Sequence, residues 1–239
     1  MRRGLLSERL IYFYFFETDA IKCGSNPLTY RKEQKMFGLL LTMQECVCSD
    51  AEQLDKLISM IASGDSNAFE ALYAKTKVSV YSYALSMLKS KHDAEDVMHD
   101  CYVNIYHAAA GYKSHGKPLA WILTIARHLC YDVIRQKSRT VSLTDEEWEF
   151  GFTLEDGVDI EDRLLLNHCL SMLTDEERKI IVLHVVSGFK HRETASFLGL
   201  PIATVLSKYH RAISKLKHAC TMETKETKLQ HQERNIHKL

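Results

Sequence analysis

Apolar residues recur every three to four positions from about residue 50 to residue 140 and lose that rhythm through 141–160. They regain it to about residue 220 and give way to a polar tail. A period near 3.6, with little two-residue alternation, predicts helices rather than strands. The expected fold class is all-α, with two small helical domains joined by an acidic linker. The rhythm sets boundaries at 1–50 (an N-terminal extension, poorly ordered), 51–140 (first domain), 141–160 (linker), 161–220 (second domain) and 221–239 (tail).

Within the first domain, Phe69, Leu72, Tyr73, Val80, Tyr81, Tyr83, Ala84 and Leu88 give a broad apolar stripe over 65–88, the mark of a core helix. A second helix begins near 90–93, with Asp93 able to cap it, and buries Ala94, Val97, Met98, Cys101, Ile105 and Ala108. Its opposite side carries Asp93, Asp96, Asp100, Asn104 and His107, with Glu95 alongside and no Lys or Arg. Such an acidic ridge serves either as solvated surface or as a docking face for a basic partner. His92, Glu95, Asp96 and His99 share one face of the same helix and could ligate a metal, but no second cluster elsewhere in the chain would complete a phosphohydrolase site.

A loop containing Gly111, Lys113, Gly116 and Lys117 leads to Pro118, well suited to the first turn of a helix. Leu119, Ile122, Leu123, Ala126, Leu129, Cys130 and Val133 form the buried stripe of that helix. Thr124, His128, Tyr131, Arg135 and Arg139 form its free face, flanked by Trp121, Arg127 and Lys137. Cations interleaved with rings suit nucleic acid, because cations neutralise phosphates and rings stack on unpaired bases. An ordinary amphipathic helix has the same composition.

In the second domain, Thr174-Asp-Glu-Glu177 is a capping box, opening a helix expected to run through Val186 and stop at Gly188. A short helix over 191–198, a tight turn at Gly199-Leu200-Pro201 and a longer helix over 202–216 follow. Ala195, Gly199 and Val205 fall at the offsets of a helix-turn-helix. The last helix would bury Val205, Tyr209, Ala212, Ile213 and Leu216 and project Thr204, Ser207, Lys208, Arg211 and Lys215. Hydroxyl and cationic groups on one free face are what a helix entering the major groove requires.

Charge sharpens this picture although the formal net charge is +0. Residues 111–140 hold six Lys or Arg against Asp132, and 190–217 hold six against Glu193, while 145–162 hold nine acids and no Lys or Arg. Two basic blocks around an acidic one suggest two anion-binding surfaces. The seven cysteines are odd in number and scattered, which fits a reducing cytoplasm and free thiols better than a disulfide framework. Cys46-Val-Cys48 lacks the further ligands of a zinc site. Near the N-terminus, the uninterrupted apolar run 10–16 is seven residues, far below the ~20 of a membrane span. Stable membrane insertion is not expected, and Met36 and Met43 are alternative starts. No nucleophile constellation, phosphate loop or complete metal set is present, so no catalysis, cofactor or bound metal is expected.

Taken together, the motifs resemble the sigma-70 family of RNA polymerase sigma factors, and within it the extracytoplasmic-function (ECF) group. Ala68-Phe-Glu-Ala-Leu-Tyr73 resembles its region 2.1 and Asp93-Ala-Glu-Asp-Val97 the start of region 2.2. Residues 121–135, from Trp121 to Arg135, resemble the region 2.3/2.4 helix, and 193–212 resemble region 4.2. The likeness runs over roughly 52–219. It implies that 51–140 is region 2, binding core polymerase and the −10 element, and that 161–220 is region 4, binding the −35 element. It further implies that Asp93, Glu95, Asp96 and Asp100 dock on the β′ clamp. Trp121, Thr124, Arg127, His128, Tyr131, Arg135, Arg139 and Lys117 would read and open the −10 element, with a flipped base held near the 106–117 loop. Thr204, Ser207, Lys208 and Arg211 would read the −35 element, with Lys190 and Arg192 on phosphates. The implied partners are core polymerase (β′ clamp and β flap), promoter DNA and, as is usual for the group, an anti-sigma factor. His128 departs from the family's usual Asn. A helix-turn-helix regulator that never joins the polymerase is the other reading of the second domain.

Overall fold

The computed structural model describes the backbone of residues 51–140 and 170–236, and the side chains of 51–138 and 170–219. All regular structure among these residues is helical. The helices are α1 (Ala51–Ala62), α2 (Ser66–Leu88), α3 (Lys91–Ala108), a 3₁₀ turn (Ala109–Gly111) and α4 (Pro118–Thr140). Past the undescribed stretch come α5 (Asp175–Ile181), a π-helical turn (Val182–Val186), α6 (His191–Leu198) and α7 (Ile202–Ile236). Described residues up to Leu216 belong to one compact unit and those from Lys217 onward to another. The expectations for the N-terminal extension and the acidic linker lie outside the described residues.

Local chemistry accounts for the helix ends. Gly64 (φ 88°) turns the chain after α1, and the Asp65 carboxylate then caps α2, accepting from the N–H groups of Asn67 and Ala68 at 2.8 and 3.2 Å. α3 is capped by Ser90 rather than by Asp93 as the sequence suggested. Ser90 is extended (φ −117°, ψ 125°) and its Oγ accepts from the Asp93 N–H at 3.4 Å, which places Asp93 inside the first turn. The capping box of α5 is present: Thr174 Oγ1 accepts from the Glu177 N–H, and the Thr174 N–H donates to Glu177 Oε2. The expected single helix to Val186 instead widens into the π turn, which Gly188 (φ 69°) ends. Gly199 (φ 68°) adopts the left-handed conformation that makes the turn between α6 and α7. α7 continues to Ile236, well beyond 216. Residues 221–236 hold no Gly or Pro and are rich in Glu, Lys and Gln, so polarity alone does not stop a helix there.

α1 contributes Leu54, Ile58 and Ile61 to the core, α2 Leu72, Val80 and Tyr83, α3 Cys101 and Ile105, and α4 Ile122, Leu123 and Ala126. Val182, Leu183, Val186 and Phe189 join this same cluster from the second half of the chain. α2 therefore differs from its expected single stripe, since every residue from Ser79 to Ser86 is buried. α5 and the π turn pack against it as well as α3 and α4. Two of the buried hydroxyls along α2, those of Thr76 and Ser86, find partners nearby, whereas Ser79 Oγ and Ser82 Oγ meet none among the described residues. Thr76 Oγ1 donates to the Leu72 carbonyl at 2.7 Å and lies 2.8 Å from Tyr102 Oη, while Ser86 Oγ donates to the Tyr83 carbonyl. Ala108 is exposed rather than core, because the helix tightens into the 3₁₀ turn and Ala109 takes the buried place. Cys101 and Cys130 are free, buried thiols.

Leu183 has no exposed surface and lies where the two halves of the chain meet. Leu183→Ala should lower the unfolding free energy by about 2–5 kcal/mol, measured by urea denaturation of the full chain.

Candidate nucleic-acid and partner-binding faces

The acidic face of α3 divides into an exposed part and a tied part. Glu95, Asp96 and Asp100 are exposed, together with Asn104 and His107. Asp93 is half-buried and receives a hydrogen bond from Lys137 Nζ of α4 at 2.6 Å. Burial pushes the Asp93 carboxyl upward, but the hydrogen bonds from Lys137 and Ser90 and the Lys137 charge outweigh it and hold the group below its ordinary value. Asp93 thus fastens α3 to α4. Lys91 approaches Glu95 at 3.9 Å, and His92 Nδ1 lies 2.9 Å from Asp96 Oδ2. Among the described residues no group of three or more His, Cys, Asp or Glu side chains is placed to hold a metal ion.

On α4, the sequence-predicted DNA face is brought together only in part. His128, Tyr131 and Arg135 are exposed and share an open depression of about 430 Å³ with Asp132 and Ile134. Neither of the last two has a role in the sequence reading; for Ile134 the available signal is an apolar residue on the polar side of the helix beside Arg135, and the structure leaves it 41% exposed. Trp121 is half-buried against Tyr112, ring centroids 4.6 Å apart. The Thr124 hydroxyl turns back to the Ala120 carbonyl at 2.7 Å. Arg127 reaches α6: its Nη1 donates to the Phe197 carbonyl at 2.7 Å and its guanidinium sits 4.7 Å from the centre of the Phe197 ring. Lys117 pairs with Glu193 at 3.5 Å. The side chain of Arg139 lies outside the described residues.

The helix-turn-helix has the small and buried residues its geometry needs, with Ala195 and Val205 at 6% and 0% exposure on either side of the Gly199 turn. Ser207 and Arg211 project from α7 as predicted, and Lys190 and Arg192 lie exposed at the start of α6. Thr204 is partly buried. Lys208 is drawn to Glu176 of α5 at 2.6 Å, and Lys215 to the buried Glu177 at 2.7 Å. No sequence pattern announces the aromatic stack beneath this face. His191 lies on His184 with ring centres 4.0 Å apart, and Tyr209 meets both edge-on. His184 Nδ1 donates to the Phe189 carbonyl at 2.6 Å.

A four-helix domain followed by a helix-turn-helix, each bearing an exposed cationic face, is the architecture of a DNA-binding protein with a second partner surface. The family descriptions agree with it: "Sigma-70 region 2" matches residues 72–140 and "Sigma-70, region 4" matches 163–216. The ECF RNA polymerase sigma factor SigK of Mycolicibacterium vanbaalenii is 30% identical over 174 residues, covering 69% of this chain and 88% of that relative. The SigK factor of Mycobacterium ulcerans is 25% identical over 175 residues, covering 70% and 94%. Among solved structures, CnrH in complex with the cytosolic domain of CnrY is similar at 24% identity and TM-score 0.48, covering 70% of this chain and 96% of that one. The sigma factor RpoE from Bartonella quintana, in complex with the anti-sigma factor NepR, is similar at 22% identity and TM-score 0.49, covering 64% and 96%. The chain belongs to the sigma-70 family, in its ECF group, and its role is that of a sigma factor in transcription initiation.

The histidine stack leads us to expect that the stability of the second half of the chain depends on pH. Burial, followed by the neighbouring His184 and His210, lowers His191 to about 4, below the ~6.5 of an unfolded histidine. Its Nδ1 is buried and meets no hydrogen-bond partner among the described residues. Since the unfolded chain takes up this proton more readily, the associated stability is complete above pH ~6.5 and is lost as the pH falls towards 4. His191→Phe, which keeps a ring against His184 and Tyr209, should flatten that part of the stability–pH curve in thermal melts of the full chain.

Proposed function

We propose that the chain joins core RNA polymerase and guides it to promoters by reading the −35 element as duplex with α7 and the −10 element with α4. The observation that carries this reading is the pairing of two exposed cationic faces with an exposed acidic one in the order in which the family regions occur. Arg211 and Ser207 meet base edges in the major groove, and Lys190 and Arg192 meet phosphates, which position the helix without specifying sequence. Thr204 and Lys208 join them at the edge of the face, Lys208 by leaving Glu176.

For the −10 element, Arg135 supplies a cation and His128 and Tyr131 supply rings around the depression on α4, with Arg139 following on the same helix. Trp121, beside Tyr112, offers a stacking surface for an unpaired base, and stacking offsets the few kcal/mol needed to unstack it. Arg127 and Lys117 can act on DNA only when their contacts to Phe197 and Glu193 are exchanged for phosphates. Thr124 keeps its hydroxyl on the helix and positions the neighbouring rings. Glu95, Asp96 and Asp100 form the acidic surface that docks the β′ clamp, and Asp93 orients it through Lys137. The chain performs no chemistry itself, since the polymerase makes every bond, and it works in the cytoplasm. No helix among the described residues is long and apolar enough to cross a membrane.

Added to core polymerase, the chain should start transcription at promoters that core alone ignores; absence of any transcript from a genomic template library would remove the central claim. Arg211→Ala should weaken −35 binding by about 1–3 kcal/mol, selectively for the recognised sequence. A uniform loss on every duplex in a binding titration would make Arg211 a phosphate contact instead.

A further inference from the structure

Asp55 of α1 uses both carboxylate oxygens on the segment between the 3₁₀ turn and α4. Its Oδ1 accepts from Tyr112 Oη at 2.5 Å and its Oδ2 accepts from Ser114 Oγ at 2.6 Å. The donors lie 57 and 59 residues further along the chain. Residues 113–117 have no regular structure and are exposed. Gly116, at φ 70°, turns the chain into Pro118. Tyr112 is the only large apolar side chain of the segment, and its ring lies against Trp121. Burial, and then the hydrogen bond and charge of Asp55, raise the Tyr112 hydroxyl well above its ordinary value, so it remains a donor.

Docking of α1 does not depend on this carboxylate, because Leu54, Ile58 and Ile61 already seat the helix in the core at 2%, 0% and 3% exposure. Asp55 itself is only partly buried. What its two hydrogen bonds fix is the position of the loop, together with the Tyr112–Trp121 pair at the loop's base. It also lies before residue 72, where the region 2 match begins.

We propose that Asp55 is a positioning residue for −10 readout, holding the 112–117 segment and the Tyr112–Trp121 pair in the geometry that receives an unpaired base. This rests on the assignment of α4 and its preceding loop to the −10 element. A loop ordered in advance loses less conformational freedom when it closes on a base, so both capture and discrimination between bases gain. Hydrogen bonds to a charged acceptor are among the stronger ones, and Tyr112 and Ser114 share one such acceptor.

The test uses the full chain with core polymerase and a promoter recovered by the wild-type holoenzyme from a genomic library. Fluorescent non-template oligonucleotides spanning its −10 element, with each of the four bases in turn at every position, report capture and discrimination; a −35 duplex reports the other site. Asp55→Ala should reduce discrimination at one −10 position about tenfold and leave −35 duplex binding and core affinity at wild-type levels. Tyr112→Phe and Ser114→Ala should each give part of that loss, and adding Tyr112→Phe to Asp55→Ala should cost little more, since both remove the same bond. Discrimination unchanged in Asp55→Ala, or a matching loss at the −35 duplex, overturns the proposal. If Asp55→Ala does not fold, Asp55→Asn and the exposed Ser114→Ala decide in the same way. A wild-type holoenzyme that shows no base preference along the −10 strand overturns the −10 assignment itself, whereas a selective wild type with unaffected variants overturns only the role of Asp55.

Discussion

The burial of α2 on all sides over Ser79–Ser86 is the constraint on which the arrangement of the described residues depends. A helix with Ser79, Val80, Tyr81, Ser82, Tyr83, Ala84, Leu85 and Ser86 all inside the protein needs packing partners around its circumference. α1, α3 and α4 cover part of it, and α5 with the π turn covers the rest. Small serines at three of those positions let neighbouring helices approach closely, while Tyr83 fills the space beneath Phe197 with ring centres 5.6 Å apart. Phe197 in turn meets Phe189 edge-on and lies under the Arg127 guanidinium. One aromatic residue of α6 thereby links the α2 core, the helix-turn-helix and the cationic helix α4.

Charges around this core fall into two kinds. Some are structural: Glu177 at 1% exposure carries the capping box of α5 and the Lys215 pair. Arg178, at 4%, donates to the carbonyls of Leu170 and Leu173 and so satisfies the end of the preceding turn. Removing one partner from such a set leaves a desolvated polar group behind. Others are exposed and loosely paired, as on the outer faces of α3, α4 and α7. Surface pairs of this sort contribute little to stability, which leaves them available for phosphates or for a charged protein surface. A net charge of zero hides this division, and the spatial separation of the two signs is what matters for binding.

The helices, their order and the helix-turn-helix were legible in the sequence because each rests on short-range rules. The 3.6-residue period placed α2, α3 and α4. Thr174-Asp-Glu-Glu177 placed the start of α5, and Ala195, Gly199 and Val205 placed the turn between α6 and α7. The placement of Ser207 and Arg211 on the exposed side of α7 was also readable, because the buried residues Val205, Tyr209, Ala212 and Leu216 fix the helix rotation. What failed locally did so for local reasons: Ser90 was a better cap than Asp93, and a polar tail without Gly or Pro continued as helix.

Long-range pairing was not legible, because periodicity shows which face of a helix is apolar but not what covers it. That α2 has no solvent face over Ser79–Ser86 depends on the helices packed round it, and the Arg127 hydrogen bond to the Phe197 carbonyl and the hold of Lys137 on Asp93 join residues 44 or more positions apart. The same holds for Asp55, to which spacing and periodicity assign no role and which accepts hydrogen bonds from Tyr112 and Ser114. The sequence by itself determined the helical class, the two basic faces and the family to which the chain belongs. Tertiary structure decided which of those charged residues remain exposed to meet DNA or polymerase and which are held within the protein, because side-chain contacts across the fold, not spacing along a helix, set exposure.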